Sequence, residues 1–222
     1  MNGTLRNYHH SGSFGASIFL LPLLVPIAAV VLGLIYAYVD LYCPIAGYVS
    51  VLFVLGFGFG VGFTVGYAGK ASKCRSRPFL TVAGLVAGIL ALYSGWVFFE
   101  FALLNRYGNI SIPASSLPDM FLSPVGLWKT AENINANGWY SISGTTPSGI
   151  VLWIFWAIEA VLVVGMAAVL APAAIDEEVF CEQCFDWCDS SDLPIYLEAC
   201  PCPAFHSSCS WARAMPTSPR AA

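Results

Sequence analysis

The chain has 222 residues, 58% hydrophobic and only 10% charged, with a formal net charge of −4 and a mean hydropathy of +0.72. Soluble domains carry about 25% charged residues, so this composition excludes a soluble enzyme of ordinary surface chemistry and a disordered chain. Nine Lys and Arg, four of them in one short loop, build no basic patch of the kind nucleic acid requires. What is left is an all-α polytopic membrane protein with the lipid bilayer as its first partner.

A hydrocarbon core of about 30 Å is crossed by about 20 apolar residues at 1.5 Å each. After an N-terminal tail over 1–17, four stretches meet this length: Ile18 to Val39, Pro44 to Ala68, Phe79 to Leu104 and Gly149 to Pro172. Together they make a four-helix transmembrane domain over 18–174, with a long loop over 105–148 and a tail over 175–222. The first apolar run is too long for a signal-peptide core of about 7–15 residues, and no small-residue cleavage site follows it. Pro22 and Pro26 lie in its first third, where a membrane helix tolerates them. The connection Asp40 to Cys43 is short enough to force an antiparallel hairpin between the first two spans.

Orientation follows from the distribution of cations. Lys70, Lys73, Arg75 and Arg77 crowd the loop between the second and third spans, whereas Arg106 and Lys129 are the basic residues of 105–148. The crowded loop therefore reads as a cytoplasmic topology anchor. Both termini then lie in the cytoplasm and the long loop lies outside.

Small residues let helix backbones approach where lipid removes the hydrophobic drive between helices. Gly58, Gly62 and Gly66 are four apart in the second span and share one face, with Gly56 and Gly60 beside them. The third span offers Gly84, Gly88, Ala91 and Gly95 at comparable spacing. These two faces are expected to pack on each other. Tyr36, Tyr38, Tyr42, Trp96, Trp139, Tyr140, Trp153 and Trp156 fall near the span ends and read as interfacial aromatics.

Two acids lie within spans. Glu159 is the eleventh residue of its span, about 16 Å deep by helical rise, where a carboxylate has to be protonated or paired. Tyr93, Ser94 and Thr64 are its polar candidates, since no Lys, Arg or His lies within a span. Glu100 is four residues from its span's end and reaches the interface. An intramembrane acid is either a tie between helices or an ion-binding group on a transport path, and four spans without an internal repeat fit the inverted-repeat transporter plan poorly.

In the long loop, Ser123-Pro124 reads as an N-cap followed by proline at the first helical position. A short helix over Pro124 to Ala136 should stop at Gly138 and show one apolar face of Leu127, Ala131 and Ile134. It then lies on the membrane surface or caps the bundle. Asn109-Ile110-Ser111 matches a glycosylation acceptor, which matters only in a lumenal eukaryotic loop.

After Ala174 the composition turns acidic and then cysteine-rich, and six of the eight cysteines fall here. In a reducing cytoplasm that pattern favours metal over disulfide. Cys181 and Cys184 form a Cys-x2-Cys pair able to give two thiolates to one tetrahedral zinc. Cys188, Cys200, Cys202, His206 and Cys209 compete for the remaining places, because Cys200-Pro201-Cys202 is Cys-x-Cys rather than a second Cys-x2-Cys. An iron–sulfur site and a redox-active dithiol are the competing readings, although the spacing matches neither ferredoxin pattern. Beyond residue 198 the Cys-, Pro-, Ser- and Arg-rich sequence has no periodicity and reads equally as an out-of-frame or truncated end.

The glycine-rich second span (Gly56 to Gly66), the basic loop after it (Lys70 to Arg77) and the terminal Cys181-x2-Cys184 together resemble uncharacterised bacterial polytopic membrane proteins that carry a C-terminal zinc-ribbon-like module. That resemblance implies a bacterial inner-membrane location and zinc in the tail. No Ser–His–Asp set or HExxH helix is present, and His9, His10 and His206 all lie far from Glu159 in sequence. The expectation is a non-enzymatic membrane scaffold whose metal-binding cytoplasmic tail engages a protein partner. The alternative is a small transporter or channel component that uses Glu159.

Overall fold

The computed structural model describes residues 11–15, 18–19, 21–42, 48–108, 111–138, 146, 148–176, 178, 180–181 and 185–187. Four helices are long and apolar enough to cross a membrane: α1 (Leu21–Tyr42), α2 (Tyr48–Ala71), α3 (Arg77–Tyr107) and α6 (Ile150–Asp176). Between α3 and α6 lie the one-turn α4 (Leu117–Phe121) and the longer α5 (Pro124–Asn137). A hairpin of two two-residue strands, β1 (Phe180–Cys181) with β2 (Asp186–Trp187), follows α6 and pairs Phe180 with Trp187 and Cys181 with Asp186. The fold class is thus the all-α four-span membrane fold expected from hydropathy.

Every span runs past the apolar stretch that announces it. α3 begins at Arg77, with Pro78 in the first turn where its missing N–H costs nothing. α6 continues through Pro172 to Asp176, because an otherwise unbroken helix absorbs one lost hydrogen bond where neighbouring helices support it. α1 starts three residues later than expected and extends to Tyr42, which draws Asp40 into the helix.

α1 and α3 run parallel to each other, as do α2 and α6, and the two pairs are antiparallel. α2 and α3 each pack against all three other spans, while α1 and α6 stand at opposite corners with little backbone contact. The main core threads Val25, Ala29, Val61, Val65, Leu80, Ala91, Val163 and Ala171 from all four helices. A smaller core of Ala37, Leu41, Phe98, Phe99, Ala102 and Ile134 closes the end covered by α5. Outward faces are apolar, as a lipid-facing surface has to be: Phe59, Phe63 and Tyr67 stack down one side of α2, four residues apart.

The glycine faces do not close on each other. Both close on α6. A Cβ on Gly58 would lie 3.1 Å from the Val163 Cα, and one on Gly62 would lie 3.0 Å from the Ala167 Cα. A Cβ on Gly66 would meet the Ala171 carbonyl oxygen at 2.9 Å. From the other side, a Cβ on Gly84 would sit 2.4 Å from the Ala167 carbonyl oxygen, and one on Gly88 would sit 3.0 Å from the Val164 Cα. α6 therefore lies in the notch between two small-residue faces and meets them with its own Ala167 and Ala171. Gly56, grouped with these glycines by spacing, faces open space. A further tight contact joins α1 to α3, where a Cβ on Gly33 would collide with Ser94. Ser94 Oγ donates to the Ala29 carbonyl (3.2 Å) or the Ala91 carbonyl (2.9 Å) there.

Candidate functional site

Three places gather polar chemistry, and the densest is the end of the bundle that holds the α2–α3 loop. α2 ends with Lys73 in the left-handed region, at φ 54°. The Lys73 N–H bonds the Lys70 carbonyl and the Cys74 N–H bonds the Gly69 carbonyl, a C-terminal closure that normally takes glycine. This turn projects the four cations toward the segment after α6. Lys70 pairs with Glu178, and Arg77 pairs with Asp176 at 2.6 Å. The Lys73 ammonium donates to the Phe185 carbonyl and lies 3.4 Å from Asp186. Trp187 Nε1 donates to the Lys70 carbonyl at 2.8 Å.

Arg75 behaves unlike the other three. It is 2% exposed, and its guanidinium lies 4.2 Å from the Phe180 ring centroid and 5.5 Å from that of Phe185. Phe180 is itself buried and meets Trp187 edge-on at 5.1 Å. The N-terminal segment joins the same end, since the Arg75 N–H bonds the Ser13 carbonyl and Phe14 packs edge-on against Phe79. The four residues read as a topology anchor thus contact Asp176, Glu178, Phe180, Phe185 and Asp186. Exposed ion pairs contribute about 0–1 kcal/mol each. Burial of a Phe ring contributes about 1.5–3 kcal/mol, and a desolvated cation–π contact about 2 kcal/mol. The aromatic cradle around Arg75 therefore dominates the attachment.

Cys74 lies in this loop, fully buried and with a free thiol. Burial pushes that thiol up from its ordinary value, partly offset by a backbone hydrogen bond at Ser76 and by the charge of Arg75, so it is neither a ready nucleophile nor a ready metal ligand.

The second place is inside the bundle. Glu159 accepts a 2.6 Å hydrogen bond from Tyr36, not from the residues expected. Tyr93 donates to the Phe121 carbonyl, Ser94 to α1 or its own helix, and Thr64 to the Gly60 carbonyl. Tyr36 is no interfacial aromatic: it turns inward and stacks on Phe57 at 4.4 Å. The Tyr36–Glu159 bond joins the corner helices α1 and α6. Asp40 lies one turn beyond Tyr36 in α1. Hydropathy hides Asp40 because its charge is what ends the apolar run, although the interfacial Tyr42 after it marks the real helix end.

The third place is the end covered by α5. Gly138 caps α5 at φ 68°, a conformation that suits glycine. Ser123 stands at the N-cap without a side-chain capping bond. Ala131 and Ile134 are buried as the apolar face requires. Thr130 donates to Glu100 at 2.6 Å, tying α5 to α3. Trp128 stacks on Trp153 at 5.0 Å, and Trp153, Trp156 and Trp96 continue as an edge-to-face chain.

For the tail cysteines, the backbone of Cys181 lies in β1, and Cys184 falls between β1 and β2 in sequence. Cys184, Cys188, Cys200, Cys202, His206 and Cys209 lie outside the described residues, as does Asn109 of the glycosylation motif. Among the described residues no three His, Cys, Asp or Glu side chains form a group able to hold a metal ion. Comparison with known proteins finds no matching family model, no matching curated protein and no matching solved structure.

Proposed function

We propose that this chain is a non-enzymatic scaffold of the bacterial inner membrane, with both termini and the basic loop in the cytoplasm. Its tail is a zinc-binding interaction module that presents a surface to a cytoplasmic protein. The observation that carries this reading is the contact of Asp176, Glu178, Phe180 and residues 185–187 with the α2–α3 loop, where the backbone of Cys181, the first cysteine of the Cys-x2-Cys motif, stands in a strand of a hairpin. Cys181 pairs with Asp186 across the hairpin, and two cysteines three residues apart have the spacing that gives two thiolates to one tetrahedral ion. In this reading Cys181 and Cys184 are the first two ligands, and the others come from Cys188, Cys200 and Cys202. The partner surface includes the solvent-exposed parts of Phe185 and Asp186, which also touch Arg75 and Lys73 of the loop. The test is metal content of the purified full chain, with Cys181→Ser as the comparison and membrane insertion checked for both.

Glu159 offers a second reading, as the acid of a transport path. The donor it receives from Tyr36 supports the quieter role of a tie between α1 and α6. Proteoliposome flux that depends on pH and disappears in Glu159→Gln would reverse that preference.

A further inference from the structure

At the α5 end, the last turns of α1 and α3 leave an open cleft of about 220 Å³ lined by Tyr38, Tyr42, Phe101, Asn105, Arg106 and Ile112. Its polar groups are donors. Arg106 Nη1 gives one bond, 3.0 Å, to the Leu41 carbonyl at the C-terminus of α1. Its guanidinium lies 4.5 Å from the Tyr42 ring and 5.2 Å from the Tyr107 ring. A guanidinium carries five N–H groups, and the remaining ones meet no acceptor among the described residues. Tyr38 and Tyr42 stack at 5.9 Å, and their hydroxyls have no hydrogen-bond partner among the described residues. The Asn105 amide is consumed in the wall itself, giving to the Phe101 carbonyl and receiving the Ile112 N–H. No acid lines the cleft.

Its depth is also defined. Arg106 follows Arg77 by 29 residues of one continuous helix, about 43 Å by helical rise. That is the thickness of a bilayer including both headgroup layers, about 40–45 Å. With Arg77 at one headgroup plane, Arg106 stands at the other. Phe101, five residues before Arg106 in α3, continues the apolar wall toward the acyl region, and Ile112 adds apolar surface beside Asn105.

We propose that this cleft binds the phosphate of a membrane phospholipid. Arg106 takes the phosphate oxygens, the hydroxyls of Tyr38 and Tyr42 complete their hydrogen bonding, and the glycerol and first acyl carbons lie on Phe101 and Ile112. Arg106 is then held flat by the two tyrosine rings so that its open edge faces the lipid. This site is independent of the tail.

The test uses the full chain, delipidated in mild detergent and titrated with phosphatidylglycerol, with bound lipid counted by native mass spectrometry. One lipid should bind more tightly than the rest. Arg106→Gln should weaken that lipid about tenfold or more, and Tyr38→Phe about threefold with an unchanged melting temperature. Millimolar inorganic phosphate should not displace it. Tyr38→Phe removes a single exposed hydroxyl and carries the test should Arg106→Gln fail to fold. Wild-type affinity in the folded variants overturns the site, and displacement by inorganic phosphate overturns the lipid as its ligand.

Discussion

Tyr36 and Glu159 illustrate how one hydrogen bond matters more inside a bilayer than at a surface. Removing the phenol leaves a carboxyl group without its donor where water is scarce, at a cost of about 1–3 kcal/mol. Tyr36→Phe should therefore lower the melting temperature of the detergent-solubilised chain. Glu159→Gln keeps an oxygen that accepts from Tyr36 and should cost less. An order reversed between these two variants would remove the tie between α1 and α6. Cys74 makes a separate prediction. Its thiol is pushed up by burial, so the neutral form is favoured by folding. The stability linked to it is complete below the unfolded thiol's value and is lost as pH rises through the folded one. A variant retaining Cys74 as its single cysteine should resist maleimide at neutral pH until it is unfolded; prompt native labelling would contradict its burial. The existence of an intramembrane acid was legible in the sequence, but its partner was not. Tyr36 near a span end carries the same signature as an interfacial tyrosine, and only the rotation of α1 decides which way it points.

Between elements, close approach to α6 sorts the glycines. Gly84→Ala places a Cβ 2.4 Å from a backbone oxygen, and Gly62→Ala places one 3.0 Å from a backbone Cα. Backbone cannot step aside as a flexible side chain does, so each should destabilise the bundle by about 1–3 kcal/mol. Gly56→Ala meets nothing within 4 Å and should be neutral or slightly stabilising in thermal unfolding. Equal effects at Gly56 and Gly84 would contradict the packing described. The glycine faces themselves were readable from their spacing. Their partner was not, because periodicity defines a face and not what covers it. A weaker signal was present in the fourth span, where Ala167 and Ala171 repeat the small-xxx-small pattern amid larger apolar residues. The α5 helix was legible almost to its ends, since proline at the start and glycine at the stop act locally. Its attachment through Thr130 and Glu100 depends on a contact 30 residues apart in sequence, which no local pattern encodes.

Across the whole molecule, the alternation of spans brings residues 11–15, the end of α6 and the α2–α3 loop to one end, and this was readable from the number of spans alone. That the loop's cations are engaged by the tail was not, because a positive loop next to anionic lipid and a positive loop next to an acidic tail have the same composition. The balance of terms at that junction predicts its mutational hierarchy. Phe180→Ala should release the paired strands Phe180–Cys181 and Asp186–Trp187 to rapid amide exchange, whereas Arg77→Gln, which removes one exposed ion pair, should change protection little. If Arg77→Gln releases the segment and Phe180→Ala does not, the tail is held by charge and not by the cradle around Arg75. The proposed function rests on what this held segment carries. The most direct measurement is therefore zinc per chain on the purified, frame-verified, full-length protein and on its Cys181→Ser variant. About one zinc per chain, lost in the variant while the four spans still insert, is the predicted result. Inserted, folded protein without zinc, or zinc retained undiminished in Cys181→Ser, would contradict it.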